Sequence, residues 1–496
     1  MRQRQWLASV AVIAAVSAEA AAGQVQVDTL LIKASTFFLA HDLLQGRATG
    51  TAGADIAAAY IASECLALGL EPAGPSYTQA VPLEEATVGP GTGLLVRRAM
   101  RETRFSYPAD FTPEIGTRST LANFTGPAVF VGAASELHVG SLEKLDLEGA
   151  VAVTAGARVS PDMTRVLKQL GVVGVVYLLG DEASYELIRR SHGETQLYHA
   201  DSTVRSSFLP AIPSVVAGPR LSYAVVSGTA VERGEPLPPG PLGRELSLKL
   251  DVRSRAFEGA NVACLLPGSD PAANDTVIAF TAHYDHLGVG VPDSTGDTIY
   301  NGFSDNAAGV AMLLAIAKAA AQNPRGSLRH SALFLFLVGE ERGLLGSDYY
   351  VSHPVWPLER TRAVINIDAG APPGLLVSWQ LAGVDSSGLG GLAVAVAADH
   401  GWTATTSPPR ANSDYYPFVR EGVPGVLVIP GPEPYEGLTA DSSAALRRTW
   451  ERYHQPADEW AADFPFIGLA RYAEYGYLIA VAVDTSSSPI PRPVRR

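Results

Sequence analysis

Cysteine is scarce: the 496 residues hold two, Cys65 and Cys264, at no spacing that suits a metal. A cysteine-based metal centre is therefore excluded. Both lie in apolar stretches, Ala62 to Ala67 and Val262 to Leu266. Two buried free thiols are as good a reading as a disulfide, and neither cysteine is given a role. Long Lys/Arg blocks are also missing, and the formal net charge is -13. That balance argues against nucleic acid or an anionic membrane surface as partners. No internal repeat is evident. The apolar stretch near the N-terminus is too short for a spanning helix, and no other run is long and apolar enough to cross a bilayer.

What is present is a chain that can bury a large core. Its length and 47% hydrophobic content suggest two or three domains. The N-terminus combines a basic start, Met1 to Gln5, an apolar stretch, Trp6 to Val16, and small residues at Ala18-Glu-Ala20 or Ala20-Ala-Ala22. This three-part pattern reads as a signal peptide over residues 1–22 and predicts export to the periplasm or beyond the cell. No cysteine lies near the cleavage region to carry a lipid anchor.

Residues 23–106 open with two helical patterns, Thr29 to Gln45 and Gly53 to Gly69. From 107 to 243 the texture changes to short β-rich runs, followed by a proline-rich connector at 235–243. That block reads as an inserted domain. Over 244–486 apolar strands alternate with helices, before a short tail at 487–496. The alternation predicts an α/β sandwich with a mostly parallel central sheet, whose working residues gather at strand carboxyl ends.

Chemistry-bearing residues stand where that rule puts them. Glu340 and Glu341 end the apolar run Ser331 to Gly339, His283 and Asp285 follow another strand, and Asp368 follows Ala363 to Ile367. Adjacent carboxylates at a strand end repel each other and are costly to desolvate, so a cation is expected to compensate them. Zinc takes imidazole and carboxylate, and two ions need one shared acid. Asp305, at the mouth of a helix over 307–322, is the bridging candidate. His283 and Asp368 would complete one zinc site, Glu341 and His454 the other. Glu340 is left as general base for a water between two zinc ions. Asp285 is placed to accept the second N–H of His283, and Tyr453 to donate its hydroxyl to an oxyanion. His286, His353 and His400 read as structural or surface histidines.

These residues also carry a family resemblance. His283-Tyr-Asp285, Gly302 to Gly309, Gly339-Glu-Glu341, Asn366-Ile-Asp368, Ser413 to Phe418 and Tyr453 to Asp458 together resemble the co-catalytic di-zinc aminopeptidases, clan MH. The family includes bacterial leucyl aminopeptidases and glutamate carboxypeptidase-like enzymes. Gly46-Arg-Ala-Thr-Gly50 is similar to the N-terminal segment of exported members, and the 107–243 block is similar to a protease-associated domain. The resemblance implies a three-layer phosphorylase/hydrolase-like fold, two zinc ions on the five ligands above, and a peptide substrate. It implies an aminopeptidase, with a dipeptidase or carboxypeptidase on the same scaffold as the alternative. A non-catalytic binding protein of this fold is the reading from another class. Two positions depart from the pattern: Ala369 stands where methionine is frequent, and Tyr415 where a histidine often follows the aspartate. The second puts any substrate-pocket role of the 413–418 loop in doubt.

Overall fold

A computed structural model describes residues 27–156, 158–192, 195–229, 236–322, 328–385 and 388–495. The signal-peptide pattern lies outside the described residues. Strands form where the apolar runs stand, and the longest runs are buried on both sides. All seven residues of Ser331–Leu337 and all seven of Val277–His283 are buried. Continuous apolar runs of this kind belong to sheets covered on both faces. Ile278, Phe280, Phe334 and Phe336 point to one side, where helices Thr29–Leu39, Ala308–Gln322 and Ile467–Thr485 pack. Ala279, Leu333, Leu335 and Leu337 point to the other, against Tyr350, Val351 and Phe418. The result is three layers, helix on sheet on helix.

Ten strands make the first sheet, and its centre is parallel: Gly425–Pro430, Thr361–Ile367, Val277–His283 and Ser331–Leu337 lie side by side. Its flanks are antiparallel. Val252–Leu266, Thr78–Val88 and Thr195–His199 extend one side, and Ser378–Ala382 runs antiparallel to Gly425–Pro430 on the other. The sheet is therefore mixed, not mostly parallel as the alternation suggested. Long hairpin-like pairing of residues 78–88 with 252–262 leaves no crossover helix to read in the sequence.

A second sheet of eight strands has a parallel run, Phe124–Ala133, Val151–Ala155, Gly174–Leu178 and Ser214–Ala217. It reaches beyond the 107–243 block at both ends. The hairpin Gly93–Arg98 with Arg101–Ser106 belongs to it, and the strand Gly240–Lys249 begins inside the proline-rich stretch. Thr195–His199, in contrast, leaves the block to edge the first sheet.

Cys65 and Cys264 form a disulfide, which decides between the two sequence readings. It ties helix Ala52–Ala67 to strand Val252–Leu266 across 199 residues, with the Cα atoms 6.3 Å apart. A closure of that length removes much entropy from the unfolded chain, about 5 kcal/mol in the loop-entropy picture.

The two sheets are also joined by a buried polar knot. Ser207 donates to Asp348 through its N–H at 2.7 Å and its hydroxyl at 2.6 Å. Arg420 closes the knot at 3.0 Å from Asp348 and also donates to the Arg205 carbonyl. Burial pushes the Asp348 carboxyl up to about 6, with Arg420 and Ser207 opposing. A folded value above the unfolded 3.8 means the native state holds the extra proton between the two. Its stabilising contribution is full below about 4 and is lost as pH rises through about 6. The stability advantage of the wild type over Asp348→Asn should thus shrink as pH rises over that interval, as read by urea unfolding of both proteins at stepped pH.

Candidate metal centre

Each proposed ligand is delivered by the end of an element. His283 closes its strand, Asp368 follows Thr361–Ile367, and Glu341 follows Ser331–Leu337 in the tight turn of Gly339, which has φ +74. Asp305 lies in a π-helical turn, Phe303–Ala307, just before helix Ala308–Gln322. Its neighbour Asn306 caps that helix, accepting from the Gly309 N–H at 2.9 Å, so the Asp305 carboxylate stays free of capping. Asp458 accepts from the main-chain N–H groups of Ser304 and Asp305 and pins the turn from behind.

The five side chains form one cluster around Asp305. His283 Nε2 lies 3.2 Å from Asp305 Oδ1 and 3.1 Å from Asp368 Oδ1. His454 Nε2 lies 3.1 Å from Asp305 Oδ2 and 3.3 Å from Glu341 Oε2. The two oxygens of one carboxylate thus serve two different imidazoles. Bonds of about 2.0–2.1 Å in a tetrahedral zinc site set neighbouring ligand atoms about 3.3 Å apart. The observed separations match that edge. His454 Nε2 is buried without a hydrogen bond of its own, whereas His283 Nε2 is within hydrogen-bond reach of Asp368. His283, Asp305 and Asp368 could hold one ion, and Asp305, Glu341 and His454 a second.

Electrostatics point the same way. Burial lowers the His454 imidazole's affinity for a proton, but Asp305 and Glu341 outweigh it and lift the group to about 10. Burial raises Asp305, and His283 and His454 outweigh that to hold it far below the carboxylate range. The carboxylates demand positive charge at these nitrogens. Glu340 differs. Burial pushes it well above the usual range, His283 opposes, and Asp368 and Glu341 add to the rise. Its carboxylate accepts no hydrogen bond among the described residues and lines the cavity together with Asp305 and Asp368.

Asp285 departs from expectation. The His283 Nδ1 atom is 3.1 Å from the Asp285 main-chain carbonyl and 3.7 Å from its carboxylate. That carboxylate is drawn away by the Thr49 hydroxyl at 2.8 Å and the Glu340 N–H at 3.2 Å. It holds the Glu340 main chain, while its carbonyl orients the imidazole. His286 also corrects the reading: it is fully buried, with Nδ1 2.6 Å from Glu341 Oε1, and it joins Asp305 and Glu341 in a group that could hold a metal ion. His353 and His400 lie away from the centre, beside Asp201 and Trp402 respectively. Tyr453 is 69% exposed and stacks on the His454 ring at 3.8 Å, at the rim of the cavity.

Three supports went unassigned in the sequence. Arg47 is buried and donates to the carbonyls of Leu39, Tyr284, Asn301 and Gly302, binding the loops that carry His283 and Asp305. Its place between glycines in Gly46-Arg-Ala-Thr-Gly50 was the available signal. Ser413 donates to Asp368 Oδ2 and accepts from Asn366, so the Ser413–Phe418 segment props a ligand. Tyr415 is buried, with its hydroxyl on the Arg410 carbonyl. Asp458 sat inside a motif quoted for His454.

Comparison with known proteins follows from this arrangement. Residues 261–468 match the sequence profile of peptidase family M28. These residues form a peptidase family M28 domain. The matched span holds all five candidate ligands and Glu340. The chain is 28% identical over 235 residues to a "probable leucine aminopeptidase 2" of Aspergillus oryzae, an alignment covering 45% of this chain and 44% of the relative. A "Vacuolar membrane protease" of Yarrowia lipolytica is 34% identical over 124 residues, 25% of this chain and 11% of the relative. The alignments thus span less than half the length of these relatives. Among solved structures, an aminopeptidase from Aneurinibacillus sp. superposes with TM-score 0.56 at 18% identity, covering 94% of this chain and 97% of that one. At that identity the likeness establishes the fold.

Removing the prop behind a ligand should loosen the ion without touching the ligand itself. Ser413→Ala is expected to weaken zinc binding at the Asp368 side about 10–100-fold. Competition against a chromophoric chelator reads this, with Asp458→Asn as a comparison that loosens Asp305 instead.

Proposed function

We propose that this protein is a di-zinc exopeptidase that removes N-terminal residues from peptides, with Glu340 as its general base. The observation that carries the reading is the Asp305 carboxylate, whose two oxygens face His283 and His454 separately. Zinc at such a site polarises a scissile carbonyl and makes water acidic enough to attack near neutral pH. Every other part falls to the chain. Glu340, unbonded and raised first by burial and then by its acidic neighbours, accepts a proton from attacking water and delivers it to the leaving amine. At the cavity rim the Tyr453 hydroxyl is a donor for the developing oxyanion. The Asp285 carbonyl fixes the His283 ring, and its carboxylate fixes the Glu340 main chain.

The names of the relatives agree with N-terminal removal, and the presence of all five ligands with an unbonded base disfavours a non-catalytic binding role. A buried disulfide suits an oxidising compartment, which supports export. The second-sheet block is proposed as a protease-associated domain on the strength of its sequence resemblance.

Glu340→Gln tests the division of labour. The variant should keep two zinc ions per chain by elemental analysis and lose about 100–10,000-fold in turnover of a leucine anilide. Loss of zinc with the substitution would mean that base and ligand have been exchanged.

A further inference from the structure

The cavity over the metal centre has a volume of about 580 Å³, within the range of small-ligand sites. Its outer wall is the end of helix Ala440–Trp450 and the turn after it, and two guanidinium groups line it. Arg447 is fully engaged. Its Nε donates to the Tyr435 hydroxyl, its Nη1 to the Pro432 carbonyl, and its Nη2 to the carbonyls of Gly431 and Glu433. It buttresses the 431–433 loop and has little left for a ligand.

Arg452 is different. Its Nη1 donates to the Arg448 carbonyl at 2.8 Å and the Glu451 carbonyl at 2.7 Å, which holds the head in place. Among the described residues its Nε and Nη2 have no acceptor, and no carboxylate pairs with it. The Nε–Nη2 edge is the one that takes a carboxylate side-on through two parallel hydrogen bonds. Arg452 is half-buried, lines the same cavity as Glu340 and Asp368, and precedes the ligand His454 by two residues. In a dipeptide the terminal carboxylate lies only one residue beyond the scissile carbonyl, about 3.8 Å from Cα to Cα.

We propose that Arg452 receives the C-terminal carboxylate of short peptides, so that dipeptides with a free C-terminus are the preferred substrate class. The inference rests on the exopeptidase reading above and adds the identity of the leaving residue. Arg452 acts on binding, with the free carboxylate neutralised across the fork while the scissile bond sits over Asp305.

The test compares leucyl-alanine with leucyl-alanine amide on the zinc-loaded full chain, with leucine anilide reporting whether the site works at all. The wild type should favour the free acid over the amide by about tenfold or more in kcat/KM, mostly through KM. Arg452→Ala should bring that ratio to within about twofold, and Arg452→Lys should keep part of it, since a point charge replaces a fork. Anilide hydrolysis with no acid-over-amide preference in the wild type would overturn this proposal and leave the peptidase reading intact. An undiminished ratio in Arg452→Ala would also overturn it. Turnover of acetyl-leucyl-alanine would contradict N-terminal polarity while still supporting the carboxylate contact. Failure of every substrate would overturn both.

Discussion

One carboxylate with two faces organises this protein. Asp305 offers Oδ1 to His283 and Oδ2 to His454, and each imidazole is closed by a further acid, Asp368 or Glu341. With Glu340 beside them, four acids crowd one end of the sheet. Like charges about 4 Å apart cost several kcal/mol per pair at a partly buried site. The buried Arg47 nearby is a single positive charge against Asp285, Asp458, Asp305 and Glu341. Two divalent cations would balance the four acids, and they would turn the cost of the site into its function.

Much of the surrounding structure exists to keep those acids still. Arg47 stitches the loops behind His283 and Asp305, Asp458 pins the turn that presents Asp305, and Ser413 holds Asp368. Further out, Ser347 donates to Asp414, the neighbour of Ser413, while the adjacent Asp348 takes Ser207 from the second-sheet side. The Ser347–Asp414 bond therefore links the residue beside Asp348 to the residue beside Ser413, and so connects the polar knot to the Asp368 side of the centre. The disulfide ties helix Ala52–Ala67 to the long antiparallel strand Val252–Leu266.

The parallel centre and the cluster of candidate ligands were legible because both are local patterns. Seven-residue apolar runs ending in an acid or histidine need no partner to be recognised, and Ser331–Leu337 and Val277–His283 formed where those runs stood. What escaped depends on pairing between distant segments. Thr195–His199 is polar enough to pass for part of the inserted block until Thr78–Val88 lies beside it. His286 looks like one more loop histidine, and only its approach to Glu341, 55 positions later, gives it work. The role of Asp285 inverted for a related reason. A carboxylate two residues after an imidazole can reach it, but Thr49 and the Glu340 N–H compete for the same oxygens, and they come from elsewhere in the chain.

The most direct measurement is a crystal structure of the zinc-loaded protein with anomalous data collected on either side of the zinc edge. The account predicts two peaks flanking the Asp305 carboxylate, one contacted by His283 and Asp368, the other by Glu341 and His454. A single peak, or ions bound away from Asp305, would contradict it.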